Sequence, residues 1–246
     1  MGALKDTVFR TIDAAAAALL PGGARLMPVL ARVEGYLYPH EAVFLYWLAR
    51  SGPGDGVVVE IGSYKGLSTL CMARGLAARG GGGRIVSIDP HLHGTEREFR
   101  RNLERFGVAA RVDVIVEPSS EAAGRLARAR AVFIDGDHAE ASADADFRAW
   151  LPHIEPGGFI AMHDSTELGL APGPLAVARR VMTEGAAFDR VGTIGTITWG
   201  RRRGGRRDWT PPHHGKRLMD LVLRCMRAAG FNPRSDAGTR AYGRPL

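Results

Sequence analysis

Residues 57–69 read VVVEIGSYKGLST, and the rest of the fold is built outward from this stretch. Val57-Val58-Val59-Glu60-Ile61 is a β-branched run without polar alternation, as in a strand covered on both faces. Gly62 and Gly66 break the run, and Leu67–Ala78 continues with helical spacing. A buried strand feeding straight into a helix is the first half of a parallel crossover unit. The unit recurs downstream: Arg84–Asp89 with a charged helix over 95–106, Val112–Val116 with a helix over 119–129, Ala131–Asp135 with a helix over 140–151, then Gly158–His163. Right-handed crossovers between such strands give an α/β, Rossmann-like, doubly wound sheet of five parallel strands. After a helix over 174–184, Phe188–Val191 and Thr193–Trp199 are separated by little more than Gly192, which permits only antiparallel pairing. A C-terminal antiparallel hairpin is therefore expected at the end of the sheet. Upstream, helices over 3–20 and 40–50 are punctuated by Pro21-Gly22-Gly23 and Ser51-Gly52-Pro53-Gly54. The spacing thus predicts an N-terminal helical cap over 1–50, a sheet domain over 51–200 and a tail over 201–246.

The composition sets the class. Of 246 residues, 45% are apolar and 24% charged, which excludes wholesale disorder and a fibrous repeat. No stretch approaches the roughly 20 apolar residues of a membrane span. The Ala14–Leu20 run is short and follows Asp13, unlike a secretory leader. Two cysteines, Cys71 and Cys225, make neither a disulfide framework nor a Cys-rich zinc site, and a reducing, cytoplasmic setting is expected. The net charge of +7 is unevenly placed: residues 200–246 hold 12 Lys/Arg against 3 Asp/Glu, and the remainder holds 21 against 23. Specific nucleic-acid binding by the main domain loses its electrostatic support. The run Arg201–Arg207 is expected to be solvated. Over 216–229, Lys216, Arg217, Arg224 and Arg227 interleave with apolar residues at helical spacing, which suits weak contact with an anionic surface.

Ligands of open α/β sheets bind beyond the carboxyl ends of the strands. Glu60, Asp89, Asp135 and the pair His163-Asp164 stand at those ends, and acids have no packing reason to gather there. The first turn, Gly62-Ser63-Tyr64-Lys65-Gly66, is neither G-x-G-x-x-G nor a P-loop, so a nicotinamide dehydrogenase is disfavoured. An acid just before the turn repels a pyrophosphate and suits a cationic ligand. S-adenosylmethionine carries a sulfonium and an ammonium group, and no phosphate.

Taken in order, VVEIGSYKGLST, IVSIDPH, VFIDGDH and LPHIEPGGFIAMHDS resemble the class I S-adenosylmethionine-dependent methyltransferases over residues 35–200. More narrowly they resemble the bacterial small-molecule O-methyltransferase group that includes macrocin-type sugar methyltransferases and cephalosporin hydroxylase-like proteins. The resemblance implies a cofactor turn of Glu60, Gly62, Ser63, Tyr64 and Gly66 with Ser68 behind it. It also implies a ribose-binding acid at Asp89 and an adenine contact at Ser119, which can equally cap a helix over 120–129. Asp135 borders the cofactor and also resembles the first metal ligand of catechol-type and caffeoyl-type O-methyltransferases, with His163-Asp164 in place of their Asp-Asn pair. That substitution exchanges an oxygen donor for a nitrogen, and Mg²⁺ remains the first expectation. His138, three residues after Asp135, takes the position of a proton-accepting lysine, and its ordinary pKa near 6.5 suits that role. Its alternative is a supporting bond to Asp137. Tyr36–Trp47 and the Gly169–Pro174 loop are the expected walls of an acceptor pocket.

The function implied is a divalent-metal-assisted O-methyltransferase acting on a hydroxyl of a glycoside or other secondary metabolite. Its alternatives are a hydroxylase-like reaction and a non-catalytic S-adenosylmethionine-binding protein of the same fold. Homo-oligomerisation is left open.

Overall fold

A computed structural model describes residues 11, 14–125, 128–168, 171–205 and 209. It contains the strands β1 (Val57–Ile61), β2 (Ile85–Ile88), β3 (Val112–Ile115), β4 (Ala129–Ile134), β5 (Ile154–Met162), β6 (Phe188–Ile194) and β7 (Ile197–Arg202). They form one sheet in the order β3-β2-β1-β4-β5-β7-β6. The first five are parallel, and β7 runs antiparallel between β5 and β6. The main helices are α1 (Pro39–Ser51), α2 (Leu67–Arg79), α3 (Glu96–Arg105), α4 (Glu140–Trp150) and α5 (Pro172–Ala178). Among the described residues no helix is long and apolar enough to cross a membrane.

The period of two along each strand divides the sheet between two cores. Val58, Ala131, Phe133, Phe159 and Ala161 face α1, α2 and α3. Val59, Ile61, Val132, Ile134, Ile160 and Met162 face α4 and α5. Both faces are thus covered, as the unalternated strands require. Trp150, Tyr46, Phe99, Phe133 and Phe159 are fully buried, and each such side chain contributes roughly 1.5–3 kcal/mol by leaving water.

α1 belongs to this core. Ten of its 13 residues are buried, and it lies so close to α2 that a Cβ on Gly75 would stand 2.2 Å from the carbonyl oxygen of Tyr46. Pro39 and Glu41 start the helix; the Glu41 carboxylate accepts the Tyr38 N–H at 2.8 Å. Its far end is held by buried Arg130, which donates to the carbonyls of Ala49 and Gly52, and by Arg79, 2.8 Å from Gly52 O. The earlier helix expected over 3–20 is helical at 14–19, and residues 3–10 lie outside the described set.

Four expectations are corrected. The helix expected over 119–129 is a single turn, Ser119–Ala122, continued as a 3-10 turn over Ala123–Arg125, because the chain is already paired to β1 from Ala129. β5 begins at Ile154, before the Pro156-Gly157-Gly158 turn, which forms a bulge against β4 with Gly157 at φ 80. The final hairpin turns at Gly195-Thr196 instead of Gly192. Gly192 sits inside β6 opposite Trp199, and a Cβ there would stand 2.5 Å from the indole. Lastly, Arg201 and Arg202 are part of β7. Arg201 is buried against Asp189 at 2.7 and 2.8 Å, and Arg203 donates to the carbonyls of Ala186 and Phe188. Arg203 is exposed, while Arg206, Arg207 and the helix expected over 216–229 lie outside the described residues.

Candidate active site

The strand order reverses between β1 and β4, and a cleft of about 1280 Å³ opens there at the carboxyl ends of the strands. Its floor is made by backbone contact. Gly62 has φ 80, and a Cβ on it would stand 2.0 Å from the carbonyl oxygen of Asp135, so this position requires glycine. Tyr64 also lies in the left-handed region at φ 47, and Gly66, at φ 92, starts α2. Asp89 at the end of β2 stabilises this turn. One carboxylate oxygen accepts the N–H groups of Ser63 and Tyr64, both at 2.8 Å, and the other accepts that of His91 at 2.7 Å. Oδ2 thus has both lone pairs engaged by the turn, whereas Oδ1 keeps one for a ligand hydroxyl.

Ser63, Tyr64 and Ser68 line the cleft, but Glu60 does not. Its carboxyl is fully buried and accepts hydrogen bonds from Thr69 Oγ1 and, at 2.8 Å, Ser87 Oγ. Burial pushes it up to about 7, against the lowering effect of bonds from Ser68, Thr69 and Ser87. Glu60 therefore lies beneath the glycine turn and supports it from below.

Ser119 lines the cleft near the end of β3. Pro118 occupies the N-cap position of its short helix, so the Ser119 hydroxyl makes no cap and donates instead to Asp146 on α4. Asp146 also lines the cleft, and burial raises its pKa against the lowering effect of the Ser119 bond.

On the other side, the ends of β4 and β5 bring acids and histidines together. His163 Nδ1 stands 3.2 Å from Asp135 and 3.3 Å from Asp164, while its Nε2 faces Glu41 of α1 at 3.4 Å. Burial alone would depress the ring's pKa, but Asp135 and Asp164 override it and raise it well above the usual histidine value. Glu41 is likewise fully buried, yet His163 and the Thr196 amide hold its pKa below the carboxylate norm. Thr196 donates to Glu41 through both N–H (2.6 Å) and Oγ1 (2.8 Å). His163 is thus a buried cation clamped between carboxylates. Nothing in the local pattern EAVFLYW singles out Glu41, whose partner is 122 residues away.

His138 Nε2 lies 3.5 Å from Asp164. The supporting bond expected from Asp137 is absent among the described contacts; Asp137 accepts from Ser142 Oγ at 2.7 Å and the Ala139 amide at 3.2 Å. Donor atoms of Asp135, His138 and Asp164 gather within 4.8 Å of one another, a set of two carboxylates and an imidazole suited to a divalent cation. Compared with the expected ligands Asp135, His163 and Asp164, His138 takes the open position and His163 stands behind it. Of the expected acceptor walls, Tyr36, Leu37 and Tyr38 line the opening, whereas the remainder of 39–47 belongs to α1. Glu34 ties this segment to the glycine turn through Lys65 (2.7 Å) and the Tyr64 hydroxyl (3.2 Å). Residues 169 and 170 of the other wall are outside the described set.

Residues 59–165, from β1 to the end of β5, match the family described as a methyltransferase domain. A catechol O-methyltransferase of Mycobacterium tuberculosis is 35% identical over 136 residues, 54% of this chain and 57% of its own length. The chain therefore spans little more than half of that curated relative. The crystal structure of cofactor-bound Rv0187 from MTB superposes with a TM-score of 0.61 at 25% identity, covering 79% of this chain and 97% of that one. An O-methyltransferase from Bacillus cereus in complex with SAH has the same fold, with a TM-score of 0.61 at 23% identity, covering 78% and 97%. Every cleft residue from Gly62 to Asp164 falls inside the segment that matches the methyltransferase-domain family, and the chain shares its sheet with both of these solved structures.

Proposed function

We propose that this protein transfers the methyl group of S-adenosylmethionine to a hydroxyl of a small molecule, such as a glycoside or another secondary metabolite. The observation that carries this reading is the division of one cleft into two chemically distinct halves. One half is the glycine turn anchored by Asp89, and the other is the Asp135–His138–Asp164 cluster backed by His163. The cleft exceeds what a single small ligand fills, leaving room for an acceptor beside a nucleoside cofactor. In this reading Gly62–Gly66 and Ser68 receive the amino-acid end of the cofactor, Asp89 accepts the ribose hydroxyls, and Ser119 borders the base. The narrower likeness to macrocin-type enzymes is supported by the IDGDH and PGG-to-HD motifs of the sequence.

Methyl transfer is an in-line displacement. The acceptor oxygen forms a bond to the methyl carbon as the carbon–sulfur bond breaks, leaving S-adenosylhomocysteine. The hydroxyl proton must leave at about the same time, and His138 Nε2, half-exposed in the cleft beside Asp164, is placed to take it. The protonated His163 offsets the two carboxylates, so the His138 side of the cleft is not flooded with negative charge. Asp135, His138 and Asp164 would hold a divalent cation such as Mg²⁺, and that ion would lower the pKa of an acceptor hydroxyl. His138 would then be a ligand, and the two roles exclude each other at one nitrogen. Methyl transfer to a panel of phenols and glycosides, with EDTA and then with added Mg²⁺, tests this. Activity lost on chelation and restored by Mg²⁺ supports the cation; full activity in EDTA removes it and leaves His138 as base.

A further inference from the structure

We propose that Glu41 is a positioning residue for methyl transfer, holding together the acceptor half of the cleft while leaving the cofactor half alone. The inference rests on the function proposed above. Glu41 is fully buried in the first turn of α1 and does not line the cleft, but three residues that do line it converge on its carboxylate from separate parts of the fold. Oε1 accepts the Thr196 N–H at 2.6 Å and the Thr196 hydroxyl at 2.8 Å. Oε2 accepts the Tyr38 N–H at 2.8 Å and faces His163 Nε2 at 3.4 Å. Four donors thus meet the four acceptor sites of one carboxylate.

Each branch fixes a different piece of the acceptor half. The contact at Nε2 turns the His163 ring so that Nδ1 faces Asp135 and Asp164, and Phe133 packs edge-on against that ring. The Thr196 branch holds the tip of the β6–β7 hairpin, and the Thr196 carbonyl in turn accepts the N–H of Ser165, the residue after Asp164. Asp164 depends on such support, because its backbone lies at φ 50, in the left-handed region. The Tyr38 branch sets the wall at the opening. Gly195 permits the close approach of the hairpin: a Cβ there would overlap Glu41 Oε1 and stand 2.5 Å from His40 Nε2. None of the four donors belongs to the glycine turn or to Asp89.

The test compares wild type with Glu41→Gln, which keeps the shape but puts an NH₂ group where one carboxylate oxygen accepted two donors. Calorimetry gives the affinity for S-adenosylhomocysteine, and labelled methyl transfer to the best acceptor among the phenols and glycosides gives kcat and KM. Misplacement of the reacting groups should lower kcat roughly tenfold to a hundredfold, more than it changes KM. Affinity for S-adenosylhomocysteine should stay within about twofold of wild type. An unchanged kcat overturns the inference. Parallel losses of kcat and S-adenosylhomocysteine affinity also overturn it, because Glu41 would then support the whole fold and not one half of the cleft. Gly195→Ala displaces the same carboxylate from a position that does not line the cleft, and should reproduce the split. If Glu41→Gln does not fold, Gly195→Ala decides alone. A wild-type protein that binds S-adenosylhomocysteine but methylates none of the compounds refutes the proposed function, and this inference with it.

Discussion

Replacing Glu60 by glutamine isolates the cost of a buried acid beneath the glycine turn. The carboxyl sits without solvent access, and its pKa is about 7 against 4.5 for the ordinary group. Because the folded-state value is raised, the proton's contribution to stability is fully present below pH 4.5 and is lost as pH climbs to about 7. A difference of this size corresponds to roughly 3 kcal/mol. Glutamine keeps a carbonyl oxygen for the Thr69 and Ser87 hydroxyls but has no proton to lose. Urea unfolding of wild type and Glu60→Gln, followed by tryptophan fluorescence from about pH 5 to pH 8, gives the stability gap at each pH. All other titrating groups are common to both proteins, so they cancel in the gap. A fixed cost of seating the amide would offset the whole curve without changing its slope. Relative to the variant, the wild type should lose about 2–3 kcal/mol across that range. A gap independent of pH would refute the burial of an acid with a raised pKa at this position.

Asp89→Ala removes the acceptor that holds the Ser63, Tyr64 and His91 amides, and should weaken S-adenosylmethionine binding at least roughly tenfold; unchanged affinity in a folded variant would contradict the ribose assignment. Arg130→Met leaves the carbonyls of Ala49 and Gly52 without this donor, and should lower unfolding stability by about 2–4 kcal/mol in chemical denaturation. A loss under about 0.5 kcal/mol would show that the α1 terminus is satisfied without it.

Much of this architecture is legible along the chain because it depends on short-range pattern. Unalternated runs such as Val57–Ile61 and Val132–Ile134 read as strands covered on both faces, and Asp89, Asp135 and Asp164 beyond strand ends mark the cleft. What escapes the pattern depends on contacts made across the fold. Gly192 looks like a turn in sequence, but its role is to admit the Trp199 ring from the neighbouring strand. Arg201 looks solvated until Asp189 is placed beside it by the hairpin. Asp146 and Glu41 are unremarkable acids on helices, and each becomes meaningful only through a partner 27 or 122 residues distant. Glu60 shows the reverse limit: its place just before the glycine turn is correctly read, but the side chain's direction, away from the cleft, follows from strand alternation combined with which face α2 covers.

The central claim is tested most directly by incubating the protein with S-adenosylmethionine labelled in its methyl group and a panel of hydroxylated small molecules, then locating the label by mass spectrometry. The account predicts S-adenosylhomocysteine and an acceptor carrying one labelled methyl on oxygen, both lost in Asp135→Ala. Label appearing on nitrogen or carbon, or an acceptor that gains oxygen instead of methyl, would contradict it.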